Sequence, residues 1–143
     1  MKFLSNAITI GLIALLFACQ CADDETPSNS QVTKSFAGFW SNVDSLTQDV
    51  TRILIYTQDS TFVVSMWGKC HPTDCYWGET YTDLADALDD SLSLFWVFSF
   101  KEEYQRLFLK SSSRLELFDS CHYTDSSGRV DHSFHSEFQK IAF

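Results

Sequence analysis

Five cysteines and four histidines are the side chains in this 143-residue sequence with the widest chemical reach. Cys70 and Cys75 bracket His71-Pro72-Thr73-Asp74, and the flanks nearly mirror each other as Trp67-Gly68-x-Cys and Cys-x-Trp77-Gly78. Pro72 pre-sets φ for a bend, and Thr73 and Asp74 offer side-chain oxygens to a turn. The two cysteines therefore face each other at a spacing that a disulfide spans. Closing so short a loop stabilises a domain by roughly 2 kcal/mol in the chain-entropy estimate. A redox role does not fit, because Cys-x4-Cys is not the Cys-x-x-Cys of thiol oxidoreductases. Cys21 is either free or paired with Cys121.

Metal chemistry would draw on Cys70-His71, Cys75, Cys121-His122, His132 and His135. Zinc wants four ligands held tetrahedrally, and the ligand spacing that signals such a site is absent. Neighbouring residues of a strand point to opposite faces, so an adjacent Cys-His pair cannot chelate one ion, and no metal or cofactor is expected. Nucleophilic catalysis lacks a Gly-x-Ser-x-Gly elbow around any serine. The carboxylate pairs Asp89-Asp90 and Glu102-Glu103 fall in stretches that read as polar connectors, where solvated charge is the ordinary role. No catalytic residue is expected, and the chain is not read as an enzyme.

What remains is recognition by aromatic surface. Trp40, Trp67, Trp96 and Phe98 are the candidates to wall an apolar cavity for a small ligand. Arg52 interrupts the apolar run Ile53-Leu54-Ile55. It either forms an ion pair with Asp44 or receives an anionic group of the ligand. The competing expectation is an interior filled by its own side chains, since the chain carries 13 Phe.

The elements that must position these residues are short strands at even spacing. They are expected at Phe36 to Val43, Val50 to Thr57, Thr61 to Lys69, Cys75 to Tyr81, Ser91 to Phe100, Tyr104 to Leu109, Arg114 to Tyr123 and Asp131 to Phe138. Polar turns such as Gln58-Asp59-Ser60 and Asp125-Ser126-Ser127-Gly128 separate them. Only Tyr81 to Leu88 tolerates a helix. The predicted class is all-β: an eight-stranded antiparallel up-and-down meander forming a closed or nearly closed barrel, because closure disposes of sheet edges. Period-two alternation turns Leu92, Leu94, Trp96, Phe98 and Phe100 inward, facing Trp40 and Trp67. It turns Leu107, Leu109, Leu115 and Leu117 inward as well. Phe95 and Phe108 fall on the outer face.

Ten basic against nineteen acidic residues leave a net charge of −9. That argues against nucleic acid and against docking on anionic lipid, both of which need Lys and Arg. Residues 1–18 read as a leader: Lys2 is its charged start, and Ile8 to Phe17 is an apolar run too short to span a bilayer. Residues 19–34 are a polar, acidic tether with Pro27, and one domain occupies 35–143. Leu16-Phe17-Ala18-Cys19 resembles the lipobox of bacterial lipoproteins, which implies a lipid on Cys19 and anchoring to a membrane of the cell envelope. Plain secretion, with cleavage near Ala18 or Ala22, is the other reading of the leader. The acidic Asp23-Asp24-Glu25 is similar to the surface-export signal of Bacteroidetes lipoproteins.

Gly38-Phe39-Trp40 on the first strand of an eight-stranded meander is similar to lipocalins and avidins, the calycin barrels. Trp67 to Gly78, with Trp40-Ser41-Asn42-Val43-Asp44 before it and Asp125 to Arg129 after it, resembles a family of secreted bacterial domains over residues 38 to 140. These resemblances imply a barrel and an exported setting, and carry over no activity and no site residue. Two functions follow as expectations. One is a lipid-anchored barrel that captures a small, partly apolar ligand at its open end. The other is an envelope interaction protein with a filled barrel, its exposed aromatics meeting another envelope protein or a glycan.

Overall fold

A computed structural model describes residues 36–87 and 90–142. The leader, Cys19, Cys21, the tether and Asp89 lie outside the described residues. Eight strands follow in order: β1 (Gly38–Asn42), β2 (Val50–Gln58), β3 (Thr61–Gly68), β4 (Cys75–Asp83), β5 (Ser91–Val97), β6 (Lys101–Ser111), β7 (Arg114–Tyr123) and β8 (His132–Ile141). A single 3-10 turn, Leu84–Asp86, occupies the acidic connector between β4 and β5. Every pairing is antiparallel, in the order β4-β3-β2-β1-β8-β7-β6-β5. The two edge strands meet without a ladder, where Thr80 Oγ1 donates 2.9 Å to the Phe95 carbonyl. The result is the expected meander, curled into a nearly closed barrel.

Alternation decides what lies inside. Ile53, Ile55, Phe62, Val64, Met66, Leu92, Leu94, Leu107, Leu115, Leu117 and Phe138 form one buried cluster with Trp40. Each such side chain contributes roughly 1.5–3 kcal/mol by leaving water. Trp40 is fully buried, and its indole N–H donates 2.9 Å to the Phe36 carbonyl. Phe36 precedes β1 instead of starting it and plugs this end of the barrel edge-on against Phe62. Gly38 is required here: its φ is +144°, and a Cβ on it would stand 2.3 Å from Lys140 Cε. The stem of Lys140 uses that gap, which lays its ammonium 4.9 Å from the Trp40 ring centre.

Three boundaries differ from the sequence reading, with consequences for the site. The β5 strand stops at Val97, because the chain turns back at once: the Phe98 N–H donates to the Lys101 carbonyl at 2.8 Å. The alternating row therefore ends before Phe100, which is 36 % exposed. The β6 strand starts at Lys101, so Glu102 and Glu103 are strand residues and not a solvated connector. The β8 strand runs on to Ile141, which is what brings Lys140 under Gly38.

Candidate functional site at one end of the barrel

The loops β1–β2, β3–β4, β5–β6 and β7–β8 all gather at one end of an antiparallel meander, here called the mouth. Phe36 and the start of β1 lie at the other end. The inward rows of β6 and β7 change character along the barrel. At the far end they are leucines; toward the mouth they become Gln105, Glu103 and Lys101 on β6, and Asp119 and Cys121 on β7. Register sets Gln105 opposite Asp119 and Glu103 opposite Cys121. Glu103, Gln105, Asp119 and Cys121 are each 3 % exposed or less.

These groups form one network. Trp96 donates its indole N–H to Gln105 Oε1 at 2.8 Å. The Gln105 amide donates to Glu103 Oε2 at 3.3 Å and also to Asp119 Oδ2. Glu103 Oε1 accepts from the Lys101 ammonium. Asp119 Oδ1 is buried with no hydrogen-bond partner. Burial, and then the Glu103 carboxylate beside it, push the Asp119 carboxyl up to about 7. Burial likewise pushes up the Cys121 thiol, which is free and so stays protonated and a poor nucleophile.

Aromatic rings wall the network on the β4–β5 side. Trp77 packs edge-on against Trp96 at 6.1 Å and against Phe98 at 5.7 Å, while Trp96 and Phe98 stack at 6.3 Å. The Lys101 ammonium sits 5.0 Å from the Trp77 ring centre, 5.1 Å from Phe98 and 5.8 Å from Phe100. One charged nitrogen is thus held by three rings and a carboxylate.

Trp77 reaches the interior through a β-bulge. Met66 pairs with Gly78 and Trp67 pairs with Tyr76, so Trp77 is the extra residue of β4. Gly78 follows it with φ of +107°, and Gly68 opposite has no side chain to obstruct the ring. The bulge breaks the mirror symmetry of the sequence, placing one tryptophan inside and the other outside. Trp67 lies on the outer face with Phe39, Tyr76 and Arg52, whose guanidinium carbon is 5.4 Å from its ring centre. The expected inward position of Trp67 is corrected accordingly.

Arg52 also points outward, because it alternates with the inward Ile53 and Ile55; the irregularity between Val50 and Arg52 turns Val50 instead of Thr51 into the core. Its partner is Asp74 at 3.3 Å and not Asp44, which instead accepts from the Leu46 backbone N–H. Asp74 accepts from Thr51 Oγ1 at 2.9 Å too, tying the β3–β4 loop to β2. That loop contains the expected Cys70–Cys75 disulfide, with Cα atoms 5.5 Å apart. Cys121 and His122 split to opposite faces. His122 is on the surface against Asp131 at 2.6 Å, and the hydrogen bond to that carboxylate raises its pKa.

Of the five residues singled out for ligand contact, the structure brings Trp96 and Phe98 together at the mouth. Trp40 is sealed in the core at the far end, and Trp67 and Arg52 are on the outside. The residues missed were Trp77, Lys101, Glu103, Gln105 and Asp119. Continuing the inward leucine rows toward the mouth, by three steps on β6 and one on β7, would have found the polar ones. Clefts also open on the outer surface. One of about 490 Å³ lies between the β1–β2 loop and His135, Ser136 and Glu137, and one of about 420 Å³ lies beside Phe108 and Phe118. Neither is lined by the buried network.

No family model matches the sequence, and no curated protein matches it. A solved structure, that of EF1p2_mFAP2b bound to DFHBI, is similar in fold with a TM-score of 0.51 at 10 % identity. The match covers 79 % of this chain and 97 % of that one.

Proposed function

We propose that this protein is a non-catalytic binding barrel that takes a small, partly apolar ligand at the mouth, against Trp77, Trp96 and Phe98. The observation that carries the reading is the polar layer Lys101-Glu103-Gln105-Asp119 inside an otherwise apolar barrel. Burying carboxylates is expensive, and a filled leucine interior would be more stable. Perturbed, buried titratable groups walled by aromatics are a mark of binding sites. The likeness in fold to EF1p2_mFAP2b, whose structure is of that protein bound to DFHBI, supports the reading as well. Native mass spectrometry of the full chain purified from its own host tests it. A co-purifying small molecule, lost in Trp96→Leu, is the expected result. A bare protein whose melt no member of a small-molecule library shifts would count against it.

The setting belongs to the same proposal: an envelope lipoprotein held to its membrane through Cys19. The described barrel begins at Phe36, opposite the mouth, so anchoring through Cys19 would leave the binding end unobstructed. Palmitate labelling should vanish in Cys19→Ala. A second reading, docking to an envelope protein or glycan, is favoured by one feature of the outer face. There Phe95 and Tyr104 pack at 4.6 Å and Phe118 and His135 at 4.4 Å, with Phe95, Tyr104 and Phe118 all around half exposed.

A further inference from the structure

We infer that the ligand is a small organic cation, an ammonium or amidinium on an apolar body, received by Glu103 and Asp119 with its carbon surface against Trp77 and Phe98. This rests on the binding reading above and deepens it. Three observations converge. The buried layer holds two carboxyl groups, Glu103 and Asp119, against the single cation Lys101, so it balances only while Asp119 keeps its proton and is one positive charge short once that carboxyl ionises. One carboxyl oxygen, Asp119 Oδ1, is buried with no donor. The rings of Trp77, Phe98 and Phe100 already surround an ammonium nitrogen at 5.0, 5.1 and 5.8 Å, which is the distance at which a ring face attracts a cation.

Lys101 is the internal stand-in. Its side chain is 18 % exposed at the rim, while Glu103 beneath it is 1 % exposed. A flexible four-carbon stem can swing its ammonium out to water, leaving rings and carboxylate to an incoming cation. A neutral ligand would strand Glu103 without its partner, and an anion would set a second negative charge beside the buried Glu103 carboxylate. The layer thus selects by charge while the aromatic wall binds by area.

The groups facing Asp119 set the pH response. They are Lys101 and Glu103 on β6, Gln105 opposite it, Cys121 farther along β7, and the apolar Phe134 across on β8. Without ligand, burial and Glu103 favour a proton on Asp119. A bound cation displaces that proton, so affinity for an amine rises with pH up to about 7, by up to tenfold per unit, and levels off above it.

The test uses the full chain and three matched probes: phenethylamine, phenethyl alcohol and phenylacetate, titrated by tryptophan emission and by calorimetry. The amine should bind at least about tenfold more tightly than the alcohol, with phenylacetate weakest. Glu103→Gln and Asp119→Asn should each erase that preference. Lys101→Met, which empties the rings of their own cation, should tighten amine binding by about tenfold. Weaker amine binding in Lys101→Met would overturn the stand-in role, and this variant decides the matter if Glu103→Gln does not fold. Equal affinity for amine and alcohol would overturn the cation inference while leaving a binding barrel. Failure of all three probes would overturn both.

Discussion

Replacing Gly68 with alanine adds one methyl group and should dismantle the wall of the mouth. The new Cβ would stand 2.4 Å from Trp77 Nε1 and 2.7 Å from Cε2 and Cζ2, contacts with the body of a rigid ring and not with a flexible tip. Trp77 must therefore move, and it takes with it its packing on Trp96 and Phe98 at 6.1 and 5.7 Å. Each lost aromatic pair is worth about 0.5–1.5 kcal/mol, and overpacking adds about 1–3 kcal/mol. The expected total is about 3 kcal/mol, a drop in Tm of roughly 10–20 °C for a domain of this size. An unobstructed Gly→Ala change would have the opposite sign, stabilising by about 0.4–1 kcal/mol through the unfolded chain. Urea denaturation followed by tryptophan emission reads both the stability and the environment of the displaced ring. In Gly68→Ala combined with Trp77→Leu the clash is gone, so the double variant should lose little beyond Trp77→Leu alone. A neutral or stabilised Gly68→Ala with unchanged emission would refute the inward position of Trp77.

Three further outcomes are expected. Asp119 has its folded-state pKa raised to about 7, so the native state keeps a proton that the unfolded chain gives up near pH 4. Stability then falls as pH rises from about 4 to about 7; Asp119→Asn should flatten that slope and be the more stable protein at about pH 8, by on the order of 2–4 kcal/mol, as urea midpoints across pH would read. Trp96→Ala should lose about 3–5 kcal/mol in a thermal melt, since it empties a large volume and leaves Gln105 Oε1 without its donor; an unchanged melt would contradict the inward row. Changing Cys70 and Cys75 together to serine should lower the unfolding free energy by roughly 2 kcal/mol, and an unmoved urea midpoint would show that the Asp74 contacts alone hold the loop.

Much of the fold was legible because strand signals are local. Alternation and turn residues gave the eight strands, and β7 runs from Arg114 to Tyr123 as its pattern predicts. The Cys70–Cys75 bridge was legible for the same reason, both residues belonging to one bend. The site was less so, because two irregularities reset the alternation. The bulge swings Trp77 inward while Trp67, alternating with Met66, stays outside, and the irregularity before Arg52 turns Val50 inward while Arg52, alternating with Ile53, stays on the surface. Neither bulge has a signature in the run of residues beyond a glycine nearby. Glu103 was hidden by a different effect: acidic pairs are usually solvated, and only the position of the β5–β6 turn puts this one in a strand with its side chain inward.

In a simple hairpin-by-hairpin meander the first and last strands would be the edges. Here β1 and β8 are neighbours in the middle of the sheet, with Phe39 beside Ile141, and the edges are β4 and β5, which are consecutive in the chain. The fold is therefore a ring of strands with two interruptions on opposite sides: a covalent one between β8 and β1, and a hydrogen-bonding one between β4 and β5. Joining the ends of the described chain and cutting within the β4–β5 connector would give a circular permutant. Its strands would then lie in the sheet in the same order as in the sequence. In the natural connectivity the β1–β8 ladder is the last to be reachable by local zipping, because its loop is the whole domain. Folding must therefore wait for the two halves, β1–β4 and β5–β8, to find each other at the strands nearest the chain's two ends.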